Sequence, residues 1–271
     1  MSKIIFHADD FGRSPNISKS IYKSIIQSKI SSISIIVSDK IYGLSLLKKV
    51  RVSKRLHLNL TDFTDRKSKE DNIYNLSFIK LFFMPLLPNF KTNKKKIEIE
   101  ILRQIKIYKK CIKKDSIFLD SHQHIHMIPW IFNIIFKLRK KNKITNIRIP
   151  NEKFLINFRD LLDLNVINNI IKFFIIKIFI LISKKKISKI KYDYNFIGII
   201  YSGIQNKNYL KKTFKFIKKN NPTNMTEILL HPGYAITNEK KLFKQAFFKY
   251  YTSSKRKKEF LLTKYFLNKE F

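Results

Sequence analysis

The strongest constraint on this chain is an alternation. "KIIFHA" (3–8) has the character of a buried strand. "SPNISKSIYKSIIQSK" (14–29) follows with helical spacing, Ser14 placed as N-cap and Pro15 as the first helical residue. The same order returns along the chain. "SSISIIVS" (31–38) and "RLHLNLT" (55–61) read as strands, with a short helix between them in 40–50. A long amphipathic helix over about 93–114 precedes the strand "SIFLDS" (116–121). "PWIFNIIFKLRKK" (129–141) is helical and "ITNIRIP" (144–150) a strand. "FIGIIYSG" (196–203), a helix near 207–219, the strand "TEILLHPG" (226–233) and helical C-terminal segments complete the series. Repeated βα units predict parallel strands with helices outside, as a barrel or an open sheet. No repeat or linker interrupts them, so 1–271 reads as a single domain. Two stretches stand apart. Residues 62–92, with Pro85 and Pro88, read as an irregular insertion, and about 160–186 as an apolar helical segment.

Composition limits the partners. A hydrophobic fraction of 44% argues against disorder. Lys+Arg outnumber Asp+Glu by 56 to 19, a net +37 that by itself suggests nucleic acid or an anionic membrane. The lysines are spread along the whole chain, however, and Ile, Lys, Asn, Phe and Tyr are abundant while Gly and Trp are scarce, the pattern of AT-rich codons. No specific nucleic-acid partner is therefore expected. Cys111 is the lone cysteine, which excludes an intramolecular disulfide and a thiolate metal cluster. The first apolar run is too short for a signal peptide, so a reducing cytoplasm fits. "NVINNIIKFFIIKIFILIS" (165–183) is interrupted by Lys172 and Lys177, which predicts a buried or interfacial helix rather than a span. The lysines at 184–186 would suit peripheral contact with an anionic membrane.

Polar residues fall where parallel α/β folds build sites, at the C-terminal ends of strands. "HADD" follows the first strand, His57 lies in the third, "DSHQHIH" ends another and "HPG" ends the last, so Asp9, Asp10, His57, His122 and His231 converge on one rim. "DSHQHIHM" (120–127) holds three of the six histidines. In extended geometry Asp120, His122, His124 and His126 share a face. One or two ligands from here, with Asp10 and His57, make an Asp-His-His site. Oxygen and imidazole donors without thiolate are compatible with Zn, Mg, Mn, Co or Ni. An open position on such an ion would hold water, lower its pKa and polarise a carbonyl. Of the adjacent carboxylates, one can ligate while the other acts as general base, and His231 can protonate a leaving amine. Each motif alone has a plainer reading: a turn with a helix cap for "DDFG", a core histidine for His57, a turn for "HPG". Burying three histidines without a task is costly, and four motifs at strand ends together favour a site.

"HADDFGRSPNIS", "HLNLT", "DSHQHIHMIP" and "TEILLHPG", in this order and spacing, resemble the YdjC-like carbohydrate deacetylases, from about residue 3 to 235. That family includes chitooligosaccharide deacetylases and deacetylases associated with hopanoid biosynthesis. "IRIPNE" (147–152), the apolar segment after it and "FIGIIYSG" look closer to the second branch. The resemblance implies an α/β fold, a deformed (β/α) barrel of the polysaccharide-deacetylase type. It also implies metal-dependent removal of the N-acetyl group from an acetylated amino sugar, as an oligosaccharide or linked to a lipid. Carried over by motif, Asp10, His57 and His122 would hold one divalent ion, Mg or Zn. Asp9 would be general base and His231 general acid. His124 and His126 would line the site or support it, and Arg148 would bind substrate or orient a carboxylate. His7 stands where the family pattern has Asn. Two rivals remain: a metal-dependent phosphoesterase using the same histidines, and a basic non-enzymatic module binding nucleic acid or membrane, which would need only Lys and Arg. A homodimer is compatible with each.

Overall fold

The computed structural model describes residues 4–38, 41–62, 76–156, 158–190, 192, 194–220 and 225–266. Strand β1 (Ile4–Phe11) leads into α1 (Pro15–Gln27), whose first turn is closed by Ser14 Oγ accepting from Ile17 N at 3.3 Å. There follow β2 (Ile30–Ile36), the short α2 (Leu44–Leu47), β3 (Ser53–Leu58), α3 (Phe78–Phe83), α4 (Phe90–Ile112) and β4 (Ile117–Ser121). The second half contains α5 (Pro129–Leu138), β5 (Ile144–Ile147), α6 (Leu164–Ile187), β6 (Tyr194–Ile197), α7 (Lys207–Asn220), β7 (Met225–Leu230), α8 (Gln245–Thr252) and α9 (Ser254–Phe266).

All paired strands run parallel, in the order β5-β4-β3-β2-β1-β7-β6. That is the chain order read as a cycle, opened between β5 and β6. The sheet curls. In a flat sheet β4 and β6 would lie about 24 Å apart, five spacings of the strand repeat. Yet the rings of Phe118 on β4 and Tyr194 on β6 are 6.1 Å apart. The result is a half-barrel with helices outside.

Strand alternation then separates two chemistries. Phe6, Ile33, Ile35, Leu56, Leu58 and Leu119 are buried and face the helices, as where Phe6 meets Phe214 of α7 at 6.1 Å. The intervening positions line the lumen, and most are polar: His7, Asp9, Ser32, Ser34, Arg55, His57, Asp120 and Glu227, all buried. Arg55 Nη1 reaches Glu227 Oε2 at 2.6 Å across the barrel, with its guanidinium 3.8 Å from the centre of the Phe118 ring. Arg148, just beyond β5, donates from Nε to Glu227 Oε1 at 2.8 Å.

The structure alters one expectation. Residues 76–92 are not irregular: Ser77 caps α3, Pro85 opens a 3-10 turn over Met84–Leu86, and α4 begins at Phe90. Pro85 sits at a helical start, where a missing N–H costs nothing, so proline there marks a beginning and not a loop. Residues 63–75 of the expected insertion lie outside the described residues. The apolar segment is one 24-residue helix, α6, capped by Asp163 accepting from Asn165 N at 2.9 Å.

Because Glu227 neutralises two buried guanidiniums, Glu227→Ala should destabilise the protein by about 3–5 kcal/mol, the scale for stranding a buried charge. Urea unfolding of wild type and variant measures it; a loss below about 1 kcal/mol would mean the lumen admits water at this point.

Candidate active site

Consecutive residues of a strand point to opposite faces, so Asp9 and Asp10 should diverge. A bulge prevents this. Between Ala8 and Phe11 on β1 the partner strand advances only from Ile33 to Ile35, and Asp10 takes a left-handed φ of 75°. Aspartate tolerates that conformation better than most residues. Gly12, at φ 91°, completes the turn, where an added Cβ would come within 2.5 Å of the Ile36 carbonyl oxygen. Both carboxylates are thereby delivered to the rim.

Asp10 Oδ1 lies 3.1 Å from His122 Nδ1 and 3.5 Å from His57 Nε2. The three residues are buried, each offering one donor atom within 4.8 Å of the others. Behind them stands a second layer. His57 Nδ1–H donates to Asp120 Oδ1 at 2.6 Å, which leaves Nε2 facing Asp10. Asp120 also accepts from Ser34 Oγ and from Arg148 Nη2, the latter at 2.9 Å. Asp10 Oδ2 accepts from Arg256 Nη2 of α9 at 2.9 Å. Burial would lower the His57 pKa, but Asp9, Asp10 and Asp120 outweigh it and push it up to about 10. Burial would raise Asp10, yet His122, His57 and Arg256 hold it well below the usual carboxylate range. The centre is thus a buried cup in which ionised Asp10 is balanced by a protonated His57 and by Arg256, charges that a divalent ion would have to rearrange.

Asp9 is held differently. Arg148 Nη1 and Nη2 donate to its two oxygens at 3.0 and 3.1 Å, and His7 Nε2 lies 3.0 Å from Oδ1. Against the opposing effect of burial, Arg148, His57 and His7 keep this carboxyl well below its ordinary pKa. His7 itself is anchored by Ser32 and Ser34, both at 2.8 Å. Burial, with Arg55 and Arg148 nearby, drives its pKa down to about 4, so it is a neutral imidazole at pH 7.

The cluster at 120–127 does not continue as a strand. β4 stops at Ser121, and a 3-10 turn over His122–Met127 begins, with Gln123 and His124 in left-handed conformation. The expected shared face therefore breaks up. His122 turns to Asp10. His126 is bound on both nitrogens, to Ser121 Oγ at 2.5 Å and to the Arg148 carbonyl at 2.8 Å. His124 packs edge-on to Phe196, and its buried Nδ1 has no hydrogen-bond partner among the described residues. Arg148 and His126 are fully buried with their polar atoms engaged, so of the two roles expected for each, their surroundings favour support of Asp9, Asp120 and the turn. Of the histidines in this turn, His122 and His124 keep an uncommitted nitrogen.

His231 follows β7. Its N–H donates to Glu259 Oε1 at 2.6 Å, and its Nδ1 stands 3.9 Å from the same carboxylate, too far for a hydrogen bond. Burial, then Arg256, lowers the His231 pKa to about 3, while burial raises Glu259 to about 7. Both changes express one preference, for a buried pair with no net charge.

The residues suit a divalent ion. Two imidazoles and a carboxylate converge without thiolate, the buried His122 Nε2 has no hydrogen-bond partner among the described residues, and Asp120 fixes the ring of His57 as carboxylates do behind metal-binding histidines.

A family model of the YdjC-like proteins matches residues 3–265. The chain belongs to the YdjC-like family. A carbohydrate deacetylase from Xenopus laevis is 25% identical over 158 residues, covering 55% of this chain and 51% of the relative. One from Danio rerio is 23% identical over 157 residues, 55% and 50% of the two chains. The match therefore spans about half the length of these relatives. A crystal structure from Enterococcus faecalis, described as a proposed cellobiose-phosphate cleavage protein, superposes with a TM-score of 0.57 over 97% of this chain and 95% of its own. At 14% identity it shows a shared fold.

Sequence reading missed Arg256 and Glu259, because "SKRKKEF" looks like a solvated charge run. The available signal was helical spacing: Arg256, Glu259 and Thr263 recur at three and four residues and form the buried face of α9. Wild type should take up a divalent ion that an Asp10→Ala/His122→Ala variant does not. Asp120→Asn should weaken uptake about 10–100-fold while leaving the ligands in place. Titration calorimetry on folded proteins decides both; unchanged affinity in Asp120→Asn would separate Asp120 from the site.

Proposed function

We propose that this YdjC-like protein is a metal-dependent hydrolase that removes the N-acetyl group from an acetylated amino sugar. The observation that carries the reading is the bulge at Asp9–Asp10, which sets a guarded base beside the Asp10, His57 and His122 cup. The carbohydrate deacetylases that match half of the chain point the same way. The substrate class is an N-acetylated amino sugar, as a free oligosaccharide or joined to a lipid. The lone Cys111 suits a reducing cytoplasm.

Asp10, His57 and His122 would hold one ion, Mg or Zn by their donor types. When bound, it supplies positive charge that acidifies a water and polarises the acyl oxygen. The remaining steps belong to side chains. Asp9 is ionised at neutral pH and aimed by the fork of Arg148, so it takes a proton from the attacking water. The His231–Glu259 pair, which burial favours as net neutral, keeps one transferable proton for the amine nitrogen as the C–N bond breaks and acetate leaves. His124, with its uncommitted Nδ1, is the histidine placed to contact the sugar, while His126 and Arg148 act from behind.

Acetate release from N-acetylated chitooligosaccharides, after repletion with Mg or Zn, tests the reading, with phosphate esters assayed in parallel. Asp9→Asn should lower turnover about 10²–10⁴-fold with the ion retained. Hydrolysis of phosphate esters without acetate release would replace the reading with a phosphoesterase. Since the donor pair loses its proton as pH rises, kcat should fall on the alkaline side through about 7, and Glu259→Gln should move that limb. A limb unmoved in Glu259→Gln would remove Glu259 from the proton path.

A further inference from the structure

We propose that the outer face of α6, with α3 and the turn after it, docks this protein on an anionic lipid bilayer. The inference stands independently of the deacetylase reading. Along α6, Leu164, Ile167, Ile171, Phe174, Ile178 and Leu181 recur at intervals of three and four residues, and all are exposed. At the helical rise this stripe runs about 26 Å. The opposite side, with Val166, Phe173, Ile176 and Phe179, is buried against the barrel. A helix apolar on both sides is expected to be covered on both.

The stripe does not end at α6. On its flank Ile182 is exposed as well, and past it Phe82 of α3 lies 5.4 Å ring to ring from the buried Phe179, with Ile79, Phe82 and Phe83 themselves exposed. Leu86 and Leu87 in the following turn are exposed as well, Leu86 to 78%. Single exposed apolar side chains are ordinary; a surface continuous over two elements marks a binding face.

Three observations select the occupant. The helix lies along the barrel rather than across a bilayer, because Asn169 Nδ2 donates to the carbonyls of Ile200 and Ser202 at 3.1 and 3.3 Å. A second copy is disfavoured by charge, since each chain carries +37. The flanks of the stripe (Asn168, Ile175 and Ile182 on one side, Ile170 and Lys177 on the other) also lack the opposite charges that pair helices. An anionic surface meets the opposite condition. Lys184 and Lys185 end the stripe, Lys80 interrupts α3, and Lys91 and Lys95 open α4, all exposed. Aromatic and aliphatic side chains bordered by lysines are the pattern of interfacial insertion. α6 also touches the turn that carries His122, so the docking helix, though not its outer face, packs beside the candidate site.

Co-sedimentation of the full chain with vesicles of phosphatidylcholine, alone or mixed with phosphatidylglycerol, tests this. Wild type should bind the mixed vesicles, less at high salt, and Ile171→Gln/Phe174→Gln should weaken binding at least about tenfold with unchanged thermal melting. Should that variant unfold, Phe83→Gln/Leu86→Gln probes the same face from α3. Absence of wild-type binding overturns the proposal. So does equal binding by a folded variant, which would assign attachment to the lysines alone. A dimer in sedimentation equilibrium that these substitutions dissolve, without vesicle binding, would assign the face to a second copy.

Discussion

Arg148 places a guanidinium, fully buried, inside the lumen of a half-barrel. An isolated charge there would cost several kcal/mol, so it persists only because Asp9, Asp120 and Glu227 surround it. From that requirement the site follows in order. Arg148 fixes the plane of Asp9 and pins Asp120; Asp120 fixes the ring of His57; His57 turns its Nε2 to Asp10. The polar lumen is a single network in which stability and catalytic geometry share the same bonds.

Strand and helix order was legible because local chemistry and tertiary role agree. Ser14 and Pro15 open α1 as their types predict, and the β-branched runs become strands. The rim was legible for a different reason. Parallel topology brings strand ends together regardless of sequence separation, so "HADD", His57, His122 and "HPG" could be joined without contact information. Alternation also marked which residues share a face, but not where that face looks. Polar residues at every second position normally signal a solvated side; at Ser32, Ser34, Arg55 and His57 they signal the lumen.

What stayed hidden involves long-range pairing or backbone sign. No period reveals that Arg55 meets Glu227, or that a bulge turns Asp10 beside Asp9. The histidine cluster was recognised as a site but assigned too uniformly. One histidine faces Asp10, one closes the turn, and one keeps a free nitrogen, because the strand ends at Ser121 and a left-handed step at Gln123 and His124 scatters the rings. Pro85 and Pro88 drew attention away from α3 and the first residues of α4 for a related reason, since proline is tolerated in the first turn of a helix.

The bond between Arg256 and Asp10 joins residues 246 positions apart. During synthesis on the ribosome, β1 emerges early, while the guanidinium that steadies Asp10 and the carboxylate that faces His231 appear only when α9 is made. The strands can pair before that moment, but Asp10 then lacks the guanidinium of Arg256. Docking of α9 is then a completion step, in which Arg256 and Glu259 bring a guanidinium and a carboxylate to a rim that the strands have already outlined.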